Sequence, residues 1–262
     1  MCFRPVFWGW ALACLFAAGC SNTSSTVEIE PHFYAAENPA QLSAWGLLDI
    51  SDGSLELSEG VVPYDLNSAL FTDYALKLRT IWVPEMAGPA TFRDGDYPDF
   101  PVGTVISKTF YYPTDAAGDQ VLKTTDSYGE TNPILRDLSS VRLIETRLLV
   151  RRDTGWQAVS YVWNDAQTDA RLTKIGDAIP LTLIEDDGES QAFTYIVPDI
   201  NQCAGCHAPN NTTRELAPLG VRPRHLKKNY VHDGELVDQL VHLAGLDKLQ
   251  GLGDAALVKA NA

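Results

Sequence analysis

Cys203-Ala204-Gly205-Cys206-His207 places two thiols three positions apart with an imidazole directly after the second. Thiols at that spacing can add to the two vinyl groups of one porphyrin, and the next residue can bring a ring nitrogen to the iron. The pentapeptide therefore predicts one covalently attached haem, with thioethers at Cys203 and Cys206 and His207 as proximal axial ligand. A thioredoxin-like pair would sit beside a βαβ pattern, and a zinc site would need two further Cys or His ligands at recognisable spacing. The other cysteines are Cys2, Cys14 and Cys20, all N-terminal. A Cys203–Cys206 disulfide would close a very small, strained ring.

The sixth iron ligand is not fixed by the sequence. Where haem iron is held by a Met/His pair, a methionine follows the haem peptide; here none does, and after the leader the single methionine is Met86, far upstream. His225, in Arg222-Pro223-Arg224-His225-Leu226, is the leading candidate, with His32 and His232 behind it and an open or weakly ligated iron as the alternative. Arg222, Arg224, Lys227 and Lys228 surround His225 and offer either a solvated basic loop or partners for the haem propionates.

The N-terminus predicts the compartment. Arg4, an apolar run from Val6 to Phe16 and Ala17-Ala18-Gly19-Cys20 resemble a bacterial lipoprotein signal, cut so that Cys20 becomes the lipidated first residue. The alternatives are an ordinary signal peptide cut nearby or an uncleaved anchor; all three mean export. The expected organisation is a leader over 1–19, a lipidated Cys20 and flexible tether over 20–27, a β-rich domain over 28–200, a haem-attachment helix and loop with a C-terminal helix over 201–250, and a tail over 251–262. The expected location is the periplasmic side of a bacterial envelope, lipid-anchored, with the outer membrane favoured. Formal charge is −14 over 262 residues, and −15 once the leader takes Arg4 with it. Such acidity disfavours nucleic acid and anionic membrane surfaces and suits a basic redox partner.

Between tether and pentapeptide the signals are those of strands. Leu76 to Pro84, Thr104 to Tyr112, Asp119 to Thr124, Val141 to Arg152, Trp156 to Trp163, Leu181 to Ile184 and Ala192 to Val197 are rich in β-branched or aromatic residues at strand length. Asp153-Thr154-Gly155 and Asp186-Asp187-Gly188 predict hairpins. Asn38-Pro39 predicts a helix through Ala40 to Leu47, and Leu236, Val237, Leu240, Val241 and Ala244 predict another ending near Gly245. The expected fold is mainly β, an antiparallel sheet or sandwich followed by a C-terminal helical haem-binding segment.

Within that pattern Lys108 breaks the apolar alternation, sharing a face with Ile106, Phe110 and Tyr112. A lysine there snorkels at a sheet margin or pairs with a carboxylate, Glu145 being one candidate on the face of Leu143 and Leu149; its functional reading is contact with the porphyrin. Tyr64, Asp65, Asn67 and Asp73 cluster as a polar loop that turn and capping roles explain.

Phe100-Pro101-Val102-Gly103-Thr104-Val105-Ile106-Ser107-Lys108, tryptophan-bearing strands ending at Trp163 and the late pentapeptide resemble the β-sheet c-type cytochromes. These include hydroxylamine-oxidising enzymes with a lysine-to-haem cross-link and gas-binding β-type relatives of cytochrome c-prime. Gly60-Val61-Val62-Pro63-Tyr64-Asp65-Leu66-Asn67, Leu70-Phe71-Thr72-Asp73-Tyr74-Ala75, Ile144-Glu145-Thr146-Arg147-Leu148 and Tyr161-Val162-Trp163-Asn164 are similar to an uncharacterised family of bacterial c-type cytochromes often described as dihaem. A single Cys-x-x-Cys-His departs from that description and implies one haem c. The resemblance implies an envelope cytochrome; electron transfer is the expected role, because a haem without further catalytic signature licenses no named reaction. The alternatives are an open-site haem protein that binds or oxidises nitric oxide, hydroxylamine or peroxide, and a non-redox β-sandwich binding lipoprotein. No catalytic acid/base pair is evident, so enzyme status stays open.

Overall fold

The computed structural model describes residues 1, 29–68, 70–124, 137–210, 212–232 and 234–253. Cys20, its tether, all of the expected leader but Met1, and most of the 251–262 tail lie outside them. The chain is mainly β, with several antiparallel sheets. Among the described residues, no helix is long and apolar enough to cross a membrane.

A hairpin of β1 (Leu48–Ser51) and β2 (Ser54–Leu57) leads into β3 (Val61–Tyr64) and β4 (Leu76–Trp82). The short β5 (Ala90–Thr91), the long β6 (Val105–Pro113) and the short β7 (Val121–Leu122) follow. Next come β8 (Val141–Arg152), β9 (Gly155–Trp163), β10 (Ala170–Thr173), β11 (Asp177–Ile184) and β12 (Ser190–Val197). Six of these form one antiparallel sheet in the order β10-β9-β8-β6-β4-β3, and β12-β11-β7 form a smaller one. Two pairings are parallel: β7 with β11, and β5 with a last short strand at Leu249–Gln250.

The expected turns are present. Asp153 and Thr154 join β8 to β9 with Arg152 opposite Gly155, and the Gly188 turn, at φ 85°, joins β11 to β12. Glycine suits such a turn because it carries no Cβ to resist positive φ.

Alternation divides the six-stranded sheet into two faces. On one, Leu78, Trp82, Val105, Tyr111, Leu148, Val150 and Tyr161 pack under Leu42, Trp45 and Leu55 from the N-terminal segment and hairpin. On the other, two apolar clusters form. Val62, Ile81, Ile106, Leu149 and Ala158 meet Leu226, Leu240, Leu243 and Leu249 from the C-terminal segment. Phe110, Tyr112 and Val162 meet Leu181, Tyr195 and Val197 of the smaller sheet. Burying each of those four leucines stabilises the C-terminal cover by about 1.5–3 kcal/mol.

Two helix expectations are corrected. Residues 40–47 hold only a single 3-10 turn, Leu42–Trp45, because the residues before it bond to the sheet instead: the Asn38 side chain and the Pro39 carbonyl accept from Arg152 and Tyr161. Leu236 and Val237 belong to a strand, β14 (Glu235–Asp238), paired with β13 (Asn229–His232). Helix begins only at Gln239, where Asp238 caps the Leu240 and Val241 amides and ends the hairpin. This helix runs Gln239–Gly245.

Candidate functional site around the Cys203–His207 turn

Cys203–His207 is a helix of five residues. The segment before it is fixed to the turn between β10 and β11: the Ile200 amide donates to the Lys174 carbonyl at 3.1 Å. Gly176 in that turn, at φ 76°, lies so close that a Cβ there would meet the Val197 carbonyl oxygen at 2.4 Å. Asp199 then accepts from the Asn201 and Gln202 amides at 2.7 and 3.2 Å, starting the helical turn.

The helix leaves both thiols free, Cys203 half-buried and Cys206 exposed. Burial pushes the Cys203 thiol up, with Arg147 opposing. His207 is tied on both sides to Ala217, whose amide donates to the His207 carbonyl at 2.8 Å and whose carbonyl oxygen lies 3.2 Å from Nδ1. Ala217 is itself placed by its neighbour Leu216, which bridges to Trp156 at the start of β9. A backbone acceptor on Nδ1 selects the tautomer that leaves Nε2 as the electron-pair donor. Burial lowers the imidazole's proton affinity; the Ala217 carbonyl opposes this, and the charges of Lys108 and Arg147 add to it. The ring is thereby held neutral, the ligating form.

These residues fit a covalent haem. Two free thiols lie on one helical turn, and a neutral imidazole is pre-oriented through Nδ1. Cys203 packs on the Ile106–Leu149 cluster, so an apolar wall is adjacent to the thiol. Gly205 faces open space, with nothing within 4 Å of where a Cβ would stand.

Lys108 is brought to this site, since it and Arg147 are the charges that His207 feels. Its expected pairing with Glu145 does not form. Glu145 is fully buried, takes a two-pronged contact from Arg147, with Nε at 2.8 Å, and accepts from the Tyr195 hydroxyl at 2.7 Å. Nor does Glu145 share a face with Leu143. The β6–β8 register slips between Phe110 and Tyr111, so Ile144 is an extra residue and Leu143 turns to the opposite face.

His225 is held elsewhere. It lies in a short helix, Pro223–Leu226, where its Nε2 accepts from Arg224 at 3.4 Å and its carbonyl accepts from the Asn67 amide at 2.9 Å. Burial, Arg224 and Arg222 lower its proton affinity. Of the basic residues around it, three are engaged with carboxylates, Arg222 with Asp96, Lys227 with Asp238 and Lys228 with Asp65, while Arg224 donates to His225 itself. Met86 stands on a turn with 99% of its surface exposed, and His32 is exposed against Tyr34. His232 is buried and stacks on His242 at 3.7 Å between ring centroids.

The polar loop is tied to distant parts of the chain rather than serving only as turn and cap. Asp65 pairs with Arg79, the Asn67 amide group donates to the Arg224 and Lys227 carbonyls, and the Asp73 carbonyl accepts from Tyr112. Sequence reasoning missed Arg79, Arg147 and the Ala217 carbonyl. No family model, curated protein or solved structure matches this chain.

Proposed function

We propose that this chain is an exported, lipid-tethered haem protein of the bacterial envelope, carrying one haem c on Cys203 and Cys206 with His207 as proximal ligand, and that it transfers electrons. The observation that carries the reading is the Nδ1 contact of His207 with the Ala217 carbonyl, on the same turn as both thiols. When bound, the haem supplies a one-electron iron couple.

The chain's own residues do the rest. Ala217, anchored through Leu216 to Trp156, orients the imidazole, and the sheet face at Ile106 and Leu149 walls off water. Cys206 is exposed and Ile200, just before the helix, is 46% exposed, so a partner protein can approach closely. The acidic chain favours a basic partner over nucleic acid. Cys20 supplies the tether.

The second reading, an open iron that binds or oxidises a small molecule, draws on the sixth-ligand candidates: Met86 is fully exposed and His225 is engaged with Arg224. One experiment decides between them. The protein is matured in a haem-attachment host without Cys20, reduced, and its absorption is recorded before and after carbon monoxide. Sharp low-spin bands that the gas does not move support electron transfer. A high-spin spectrum that shifts refutes it in favour of the open site. No covalent haem at all refutes both and leaves the non-redox binding lipoprotein.

A further inference from the structure

We propose that Arg79, Lys108 and Arg147 form a carboxylate-binding row that takes the propionates of the porphyrin held by Cys203 and Cys206. The inference rests on the haem reading and assigns a part of that site which the pentapeptide leaves open. The three residues are direct cross-strand neighbours on β4, β6 and β8, Arg79 opposite Lys108 and Lys108 opposite Arg147. Like charges directly opposite each other destabilise a sheet.

Lys77, two residues before Arg79 and on the same face, adds a fourth charge. The Lys77 and Lys108 ammonium groups and the Arg147 guanidinium lie 5.7, 5.0 and 4.5 Å from the centroid of the one Phe110 ring. The local carboxylates are already used. Glu145 is taken by Arg147 and Tyr195, and Asp65 is shared between Arg79 and Lys228. Lys108, only half-exposed, has neither a hydrogen bond nor an ion pair among the described residues.

With Arg79 and Arg147 paired, Lys77 and Lys108 leave the row net positive, a charge that a bound anion would offset. The row stands beside the cluster on which Cys203 packs, two residues along the strands from Ile106 and Leu149 and on the same face. A porphyrin carries two carboxylates on one edge, and guanidinium and ammonium groups bind carboxylates through charge-assisted hydrogen bonds. In the basic loop at 222–228, the alternative home for propionates, Arg222, Lys227 and Lys228 are paired with Asp96, Asp238 and Asp65; in the row Arg79 and Arg147 are paired too, but Lys108 between them has no carboxylate partner among the described residues.

A free oxyanion has the same chemistry, so the test separates the two sources. Lys108→Met and Lys108→Arg are made in the full haem-loaded chain and in a haem-free chain carrying Cys203→Ala and Cys206→Ala, and urea unfolding is followed in each. Without haem, Lys108→Met should stabilise by removing an unpaired like charge. With haem it should raise the unfolding constant about ten- to hundredfold, the worth of a charged hydrogen bond, and Lys108→Arg should restore most of it.

The same sign in both forms, whether stabilising or destabilising, overturns the assignment. Resonance Raman spectra of the loaded protein give a reading independent of the haem-free fold: the propionate bending bands should shift in Lys108→Met, and unchanged bands overturn the proposal. Phosphate that protects the haem-free parent but not its Lys108→Met form, with no reversal of sign on loading, makes a free anion the ligand instead. If the parent chain takes up no haem, the haem reading itself has failed, which the spectrum shows before any variant is made.

Discussion

Glu145→Gln should be among the most damaging single changes available in this protein without altering shape. Glu145 has no exposed surface, while its partner Arg147 keeps 28% of its side-chain surface in water. Removing one member of a buried ion pair costs about 3–5 kcal/mol, because the other is left charged and unpaired. Water at Arg147 offsets part of this, which puts the expected loss near the lower end, about 3 kcal/mol. The Tyr195 hydroxyl, 2.7 Å from Glu145, keeps an acceptor in the glutamine carbonyl and adds little. The loss is aggravated by Lys108, directly opposite Arg147, and by Arg79 beyond it in the row, neither of which has a spare carboxylate to lend. For a domain of this size each kcal/mol moves the midpoint of thermal unfolding by about 2–4 °C, so a fall of about 6–12 °C is expected. The assay is urea and thermal unfolding by tryptophan fluorescence on the haem-free chain, with Glu145→Gln, Arg147→Met and the double variant in a cycle. The double variant should recover most of the loss, since it removes the stranded charge. A Glu145→Gln loss within about 0.5 kcal/mol, the range of an ordinary surface change, would refute the reasoning, as would a double variant no better than the single one.

Lys77 gives a pH signature: burial first, then Arg79 and Arg147, pull it down to about 8, with Asp73 opposing. An unfolded lysine titrates near 10.4, so between about pH 8 and 10.4 the unfolded chain holds a proton the folded one has shed, and stability rises with pH. Urea midpoints at pH 7.5 and 9.5 should show that rise shrinking in Lys77→Met relative to the parent; an equal gap at both pH values counts against the assignment. Tyr161→Phe should cost about 1–3 kcal/mol, since the Trp45 indole N–H donates to that hydroxyl at 2.7 Å with both side chains fully buried; a neutral result in chemical unfolding would mean the indole finds another acceptor. Gly176→Ala should lower both stability and covalent haem yield by pushing the Val197 carbonyl, whereas Gly188→Ala, with similar φ but open space around it, should cost less and leave the yield alone. Equal losses in the two variants would show that backbone strain alone, not the contact with the segment before Cys203, is responsible.

What could be read from the sequence was whatever is local in it. Val141 to Arg152 is a strand over the residues expected, because twelve residues dense in branched side chains between a polar run and Asp153-Thr154-Gly155 have one good conformation. The site peptide was equally visible, being contiguous. Lys108 stood out because it breaks an alternation, yet the partners that give it meaning, Arg79 and Arg147, are set by register across three strands. That register includes the extra residue at Ile144, which no periodicity announces and which turns Leu143 away from the face of Glu145. Leu236 and Val237 of β14 read as helix because, with Leu240 and Val241, they fit a 3.6-residue period across the boundary. Asp238 marked that boundary, as a capping residue immediately before the real helix.

The order β10-β9-β8-β6-β4-β3 takes its strands in sequence apart from the two short ones set aside, so the large sheet is assembled from near neighbours in the chain. Such contacts form early, because little loop entropy opposes them. The face that carries Arg79, Lys108 and Arg147 is therefore built before residues beyond 200 arrive, and the C-terminal cover closes over it last. That closure is fastened by Gln239, fully buried, whose side chain accepts from the Asp65 amide and donates to the Asp65 and Leu226 carbonyls. In a chain emerging N-terminus first, the apolar wall on which Cys203 packs therefore stands before the Gln239 latch is made. On the haem reading proposed above, a porphyrin would be installed in the interval before the residues beyond 200 bring Gln239 to Asp65 and Leu226.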